Sequence, residues 1–141
     1  AHGAGVEVTA CNERTVAALR RAGFRIDPIP SASDEGNPHY GVHWSVGLGS
    51  ERKPTALELF SKHIDGAHRP QRPFVALMTC DDADQNCPLI HGAKARLSFS
   101  FEDPKAFDGT EHETAAYDER SDQIASELLY IFSRVKDRTT D

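Results

Sequence analysis

The chain has 141 residues, 38 % apolar and 8 % aromatic, which suits a single folded domain with one core rather than a disordered tail. Asp and Glu number 22 against 16 Lys and Arg. The resulting net charge of −6 argues against nucleic acid and anionic membrane as partners, because both reward a basic surface. No apolar run approaches the roughly 20 residues needed to span a bilayer, and no signal-peptide pattern is visible.

Asn12 or Thr15 is placed to cap a helix through Val16, Leu19 and Ala22, with Gly23 at the left-handed position that ends it. Phe24-Arg25-Ile26 reads as a short strand. Asp27 to Pro38 is rich in proline and serine and reads as a loop. Val42, Trp44, Val46 and Leu48 alternate with polar or small residues, the period of a half-buried strand. Leu57 and Leu59 alternate with Glu58 and Phe60, so a second strand and an antiparallel hairpin are expected, with a short helix over 55–63 as the competing reading. Arg69-Pro70-Gln71-Arg72-Pro73 reads as a solvated linker.

Phe74-Val75-Ala76-Leu77-Met78 is a continuous apolar run, as in strands buried on both faces of a parallel sheet. It ends at Thr79-Cys80, and the carboxyl ends of such strands are where ligand and catalytic groups gather. Residues 95–101 alternate again. Tyr117, Ile124, Leu128, Ile131 and Val135 fall on one stripe of a helix expected over about 112–136. The order of elements predicts an α/β fold, a sandwich in which this last helix packs on the sheet.

The cysteines are Cys11, Cys80 and Cys87, too few for a disulfide-framed secreted domain, so a reducing cytoplasm is expected. Cys11 reads as a small apolar packing residue. Cys80 and Cys87 bracket a polar, acidic loop. Wound as helix, their Cα atoms would lie about 10.5 Å apart at 1.5 Å per residue. A disulfide needs roughly 4.4–6.8 Å. Joining the sulfurs therefore reshapes the loop, a property useful in a redox relay. Three readings remain open on spacing: a redox pair, two of four zinc ligands with His91 nearby, or two unrelated thiols. A purely structural disulfide explains little, since closing so short a loop contributes only about 2.5 kcal/mol. Asp81, Asp82 and Asp84 oppose thiolate formation, the reactive state of cysteine.

Asp103-Pro104 has a plain reading as an N-cap followed by proline at the first helical position. Its functional reading is a general acid, with Phe99, Phe101 and Phe107 supplying apolar surroundings that keep a carboxyl protonated. The histidines are scattered and read as surface or packing residues. No Gly-rich phosphate loop of the P-loop type is present, and no cofactor or metal is expected.

With these residues assembled, Phe74–Cys80, Cys87-Pro88 six residues on, and then Phe101-Glu102-Asp103-Pro104 resemble the thioredoxin-coupled arsenate reductases, which share the low-molecular-weight protein tyrosine phosphatase fold. Asp103 to Asp108, Tyr117-Asp118-Glu119-Arg120 and the closing helix look closer still to a bacterial, phosphatase-like branch. The resemblance covers about residues 74–136, and the segment 12–26 fits the family's first half. It implies one domain over 1–141, a three-layer sandwich with a mainly parallel sheet, and a hairpin insertion at 37–66.

The resemblance also implies a chemistry. A first cysteine attacks the oxyanion, Cys80 attacks that cysteine and releases arsenite, and Cys87 attacks Cys80. Thioredoxin then reduces the disulfide between Cys80 and Cys87. Asp103 is the general acid. The family's nucleophile heads a Cys-x5-Arg loop that cradles the oxyanion at a helix N-terminus. The sequence departs here: Ala17, Asn86 and Ala93 stand where that arginine would follow Cys11, Cys80 and Cys87. Together with the Ala1 start, this reads as an amino-terminally incomplete domain, with a catalytically dead homologue as the other reading. The 141-residue chain alone is expected to turn over neither arsenate nor phosphotyrosine, and its strands to show unpaired edges. Two further functions are weighed: a non-catalytic binding module of the same fold, and a zinc-stabilised domain.

Overall fold

A computed structural model describes residues 3–30, 36–44, 55–66, 70–79 and 90–138. The elements are α1 (Glu13–Arg21), β1 (Arg25–Pro28), β2 (Tyr40–Trp44), β3 (Thr55–Leu59), β4 (Phe74–Met78), β5 (Ala93–Ser98), a 3-10 turn (Pro104–Phe107) and α2 (Glu113–Arg138). Helices and strands are mixed, as the patterning indicated.

Local chemistry accounts for the first half. The Asn12 side chain caps α1 by accepting from the Arg14 N–H at 2.9 Å. Gly23 closes the helix at φ 95°, a conformation that disfavours any residue with a Cβ. The chain then enters β1, which pairs antiparallel with β2, and β2 pairs antiparallel with β3. Ile26 lies opposite Val42, and Val42 opposite Leu57. Val16 of α1 is buried against Ile26 and Val42, while Cys11, Leu19, Phe24, Tyr40 and Leu59 close the edges of this cluster. Cys11 thus has the packing role expected of it. The strand reading of 55–59 prevails over the helical one, because Leu57 and Leu59 take the period-two positions facing this cluster's side of the sheet.

The other face of the hairpin is polar and organised. Asn37 exchanges hydrogen bonds with the Ser61 backbone, at 3.1 Å each way. His39 lies 2.7 Å from a Glu58 oxygen and stacks on Phe60 at 4.1 Å. The Lys62 ammonium sits over the Phe60 ring, 3.8 Å from its centroid. The segment from Gly5 to Thr9 is tied alongside by bonds between Gly5 and both Lys62 and Ile64, and from the Thr9 N–H to Ser61 Oγ.

β4 and β5 form the parallel pair, with a register shift between Phe74 and Val75. Ala76, Met78 and Ile90 are buried on one face, flanked by Ile64, Phe74 and Ala93.

Three expectations need correction. Among the described residues the strands make a three-stranded antiparallel sheet and a two-stranded parallel one, not one mainly parallel sheet. The short connections after β1 and β2 favour antiparallel return over a crossover. β4 is buried on one face only: Val75 is 52 % exposed, and Leu97, which pairs with Leu77 on the same face, is 53 % exposed. Finally, α2 packs against α1 and the 3-10 turn rather than lying along the sheet. At 1.5 Å per residue α2 is about 39 Å long and α1 about 13 Å. α1 therefore covers only the first turns, where Tyr117 is buried, and Leu129, Phe132 and Val135 remain exposed.

Candidate functional site

The parallel pairing sends the carboxyl ends of β4 and β5 to the same edge. The ladder continues past both strands: the Phe99 N–H donates to the Met78 carbonyl at 2.8 Å, and the Phe101 N–H to the Thr79 carbonyl at 3.2 Å. The backbone preceding Cys80 is thus held beside the backbone that leads into Glu102 and Asp103. Phe99 and Phe101 meet edge to face, with ring centroids 4.9 Å apart.

Asp103 follows. One carboxylate oxygen accepts from the Lys105 N–H at 2.9 Å, and Pro104 opens the 3-10 turn. The side chain is an N-cap, as the plain reading held. The partial burial expected for an acid among phenylalanines is not found: Asp103 is exposed, and Phe107 is itself 42 % exposed. The cap engages the carboxylate with the turn's own amide. Cys80 and Cys87, the other expected site residues, lie outside the described residues, and so does any zinc site built on them.

A polar cluster that the sequence reading passed over joins this turn to the rest of the molecule. The Tyr117 hydroxyl donates to Asp108 Oδ1 at 3.0 Å and accepts from Asn12 Nδ2 at 3.1 Å. Arg14 Nε lies 2.9 Å from Glu113 Oε2 and 3.4 Å from Asp108 Oδ1. The same Glu113 oxygen accepts from the Gly109 N–H. Two turns further along α1, Arg21 holds Asp118 in a bidentate pair at 2.7–2.9 Å.

These contacts move the titrating groups in directions set by their causes. The Gly109 N–H, then Arg14, hold the Glu113 carboxyl below its usual range. Arg21 does the same for Asp118. Burial pushes the Tyr117 hydroxyl up, helped by its bond to Asp108. Burial also raises the Cys11 thiol, against the pull of Lys62. Each shift belongs to a group that holds structure.

Asp108, Tyr117 and Asp118 stand near one another in the sequence, but the partners of Tyr117 and Asp118 at α1, Asn12 and Arg21, are about a hundred residues away. Among the described residues no group of three or more His, Cys, Asp or Glu is arranged to hold a metal ion, and no helix is long and apolar enough to cross a membrane. Comparisons with protein-family models, curated proteins and solved structures return no match. The chain is a mixed α/β protein, and its functional reading rests on its own residues.

Proposed function

We propose that this chain is a domain of the low-molecular-weight phosphatase and arsenate reductase type, handling a tetrahedral oxyanion, arsenate or a phosphoester, through cysteine chemistry. Cys80 and Cys87 form its redox pair, Asp103 is its general acid, and thioredoxin is the reductant in a reducing cytoplasm. The supporting observation is the bond from the Phe101 N–H to the Thr79 carbonyl. It registers the chain entering Cys80 against the chain entering Asp103 at one edge of a parallel pair, the edge where sites of open α/β sheets gather.

In the redox step two thiols become one disulfide and release two protons. In the family this chain resembles, their two electrons reach As(V) through a thiol–arsenic adduct on a Cys-x5-Arg cysteine, which these 141 residues do not supply, and As(III) leaves as arsenite. Thioredoxin dithiol returns the electrons by exchange. A phosphoester needs no such relay, so the pair favours the reductase. No Cys-x5-Arg occurs within these 141 residues. That favours, as a second reading, a binding module that retains the thiols without turnover.

The test is direct. The reduced chain is oxidised with glutathione disulfide and mapped by mass spectrometry, and thioredoxin is then added. A single disulfide between Cys80 and Cys87 that thioredoxin reduces faster than dithiothreitol supports the relay. Mixed glutathione adducts on both cysteines with no internal bond refute it. These 141 residues, which hold no Cys-x5-Arg loop, are expected to show no arsenate turnover, and ordinary turnover by them would overturn that expectation.

A further inference from the structure

At the opposite end of the β4–β5 pair from Thr79, we propose a second site: the cleft where the two strands begin binds a small multivalent anion of the phosphate class. The cleft measures about 340 Å³, within the usual range for small-molecule sites. Its wall on the β4 side is the Pro70–Pro73 segment, and its wall on the β5 side runs from His91 to Lys94. Arg72, His91 and Lys94 bring three nitrogen-bearing side chains to one cleft, and among the described residues that line it none is acidic. In a chain of net charge −6 that concentration is unusual. It gives the locally positive, concave surface that focuses anions.

Local backbone chemistry restricts both walls. Arg72 precedes Pro73, which restricts its backbone to extended conformations, and Pro70 fixes its own φ. Residues 71–73 are exposed, as a solvated linker would be, and with Pro70 they form one rim of the cleft. The other wall is a tight turn: the Ala93 N–H returns to the Ile90 carbonyl at 3.1 Å, and Gly92 takes φ 88°. A Cβ on Gly92 would meet the Phe74 ring at 3.4 Å, so this backbone rests on an aromatic floor. Phe74 and Ala93 pair across the strands and pack on the cluster of Ala76, Met78 and Ile90. The cations thus stand on supports tied to the core, which reduces the ordering cost of binding. The Arg72 guanidinium matches two oxygens of a phosphate or carboxylate in a fork, while Lys94 adds a point charge. This site is independent of the thiols.

The experiment is an NMR titration of the 15N-labelled chain with inorganic pyrophosphate and, separately, citrate, at low ionic strength. Saturable shifts confined to the amides of Arg72, His91, Gly92 and Lys94 are expected, with pyrophosphate the tighter ligand. The R72Q/K94Q double variant is expected to weaken binding about tenfold or more. If the variant fails to fold by circular dichroism, K94Q alone and sodium chloride added to the wild type serve, and each is expected to weaken binding. Tighter binding of citrate at the same amides would move the ligand class to carboxylates and overturn the phosphate assignment. Shifts that do not saturate, that spread over other basic residues, or that survive in the variants would overturn the site itself.

Discussion

Replacing Tyr117 with phenylalanine removes one oxygen and leaves the ring, which is 5 % exposed, in place. Two hydrogen bonds go with it: one donated to Asp108 at 3.0 Å and one accepted from Asn12 at 3.1 Å. A bond to a charged partner is worth about 1.5–3 kcal/mol and a neutral one about 0.5–1.5. Asn12 is exposed and can turn to water, while Asp108 keeps Arg14 at 3.4 Å and is 28 % exposed at its side chain, so both partners recover part of the loss. A destabilisation of about 2 kcal/mol is therefore expected, roughly 6 °C in Tm for a domain of this size. Urea unfolding followed by circular dichroism measures it. A cycle with Asp108→Asn is expected to show a coupling of at least about 0.5 kcal/mol, because the two groups touch. The same variant has a signature in alkali. Burial raises the Tyr117 hydroxyl pKa in the folded state, so its contribution is intact below the free value of about 10 and fades as pH rises through the folded one. Phenylalanine lacks that fade. A Tyr117→Phe protein within about 0.3 kcal/mol of wild type, with additive cycle energies, would refute the view that this cluster joins α1 to α2.

Asp103 separates its two roles by substitution. Asp103→Ala is expected to lose about 1 kcal/mol with the cap, whereas Asp103→Asn retains the cap and the stability but cannot donate a proton; equal loss in both variants would exclude capping. Gly23→Ala is expected to cost about 1–2 kcal/mol by thermal unfolding, although nothing lies within 4 Å of the added methyl, because the penalty comes from φ 95° alone. The carboxyl of Glu113 is depressed by Gly109 and Arg14. Its contribution is thus present above the ordinary carboxylate value of about 4.3 and is lost as pH falls through the folded one. Glu113→Gln should flatten the acid limb of the stability profile and leave the alkaline limb unchanged, as read by urea midpoints across pH.

The elements were readable wherever the cause lies within a few residues. Asn12 and Gly23 bracket α1, Pro104 opens the 3-10 turn after Asp103, and alternation placed β2 and β3 as a hairpin, because caps, φ preferences and side-chain period act over one turn or one strand. The parallel pairing of β4 was legible from its apolar run, yet its burial was not, since exposure depends on what covers the second face. The Tyr117 hydroxyl donates to Asp108 just past the 3-10 turn and accepts from Asn12 at the start of α1, and no local pattern announces a donor so far along the chain. The same holds for the basic cleft: Arg72 and Lys94 read as solvated charges until a parallel register brings the starts of two strands together. Composition and periodicity decided which segments are helix and strand; only tertiary contacts decided which polar groups meet, because meeting depends on register and packing between distant segments rather than on the residues beside them.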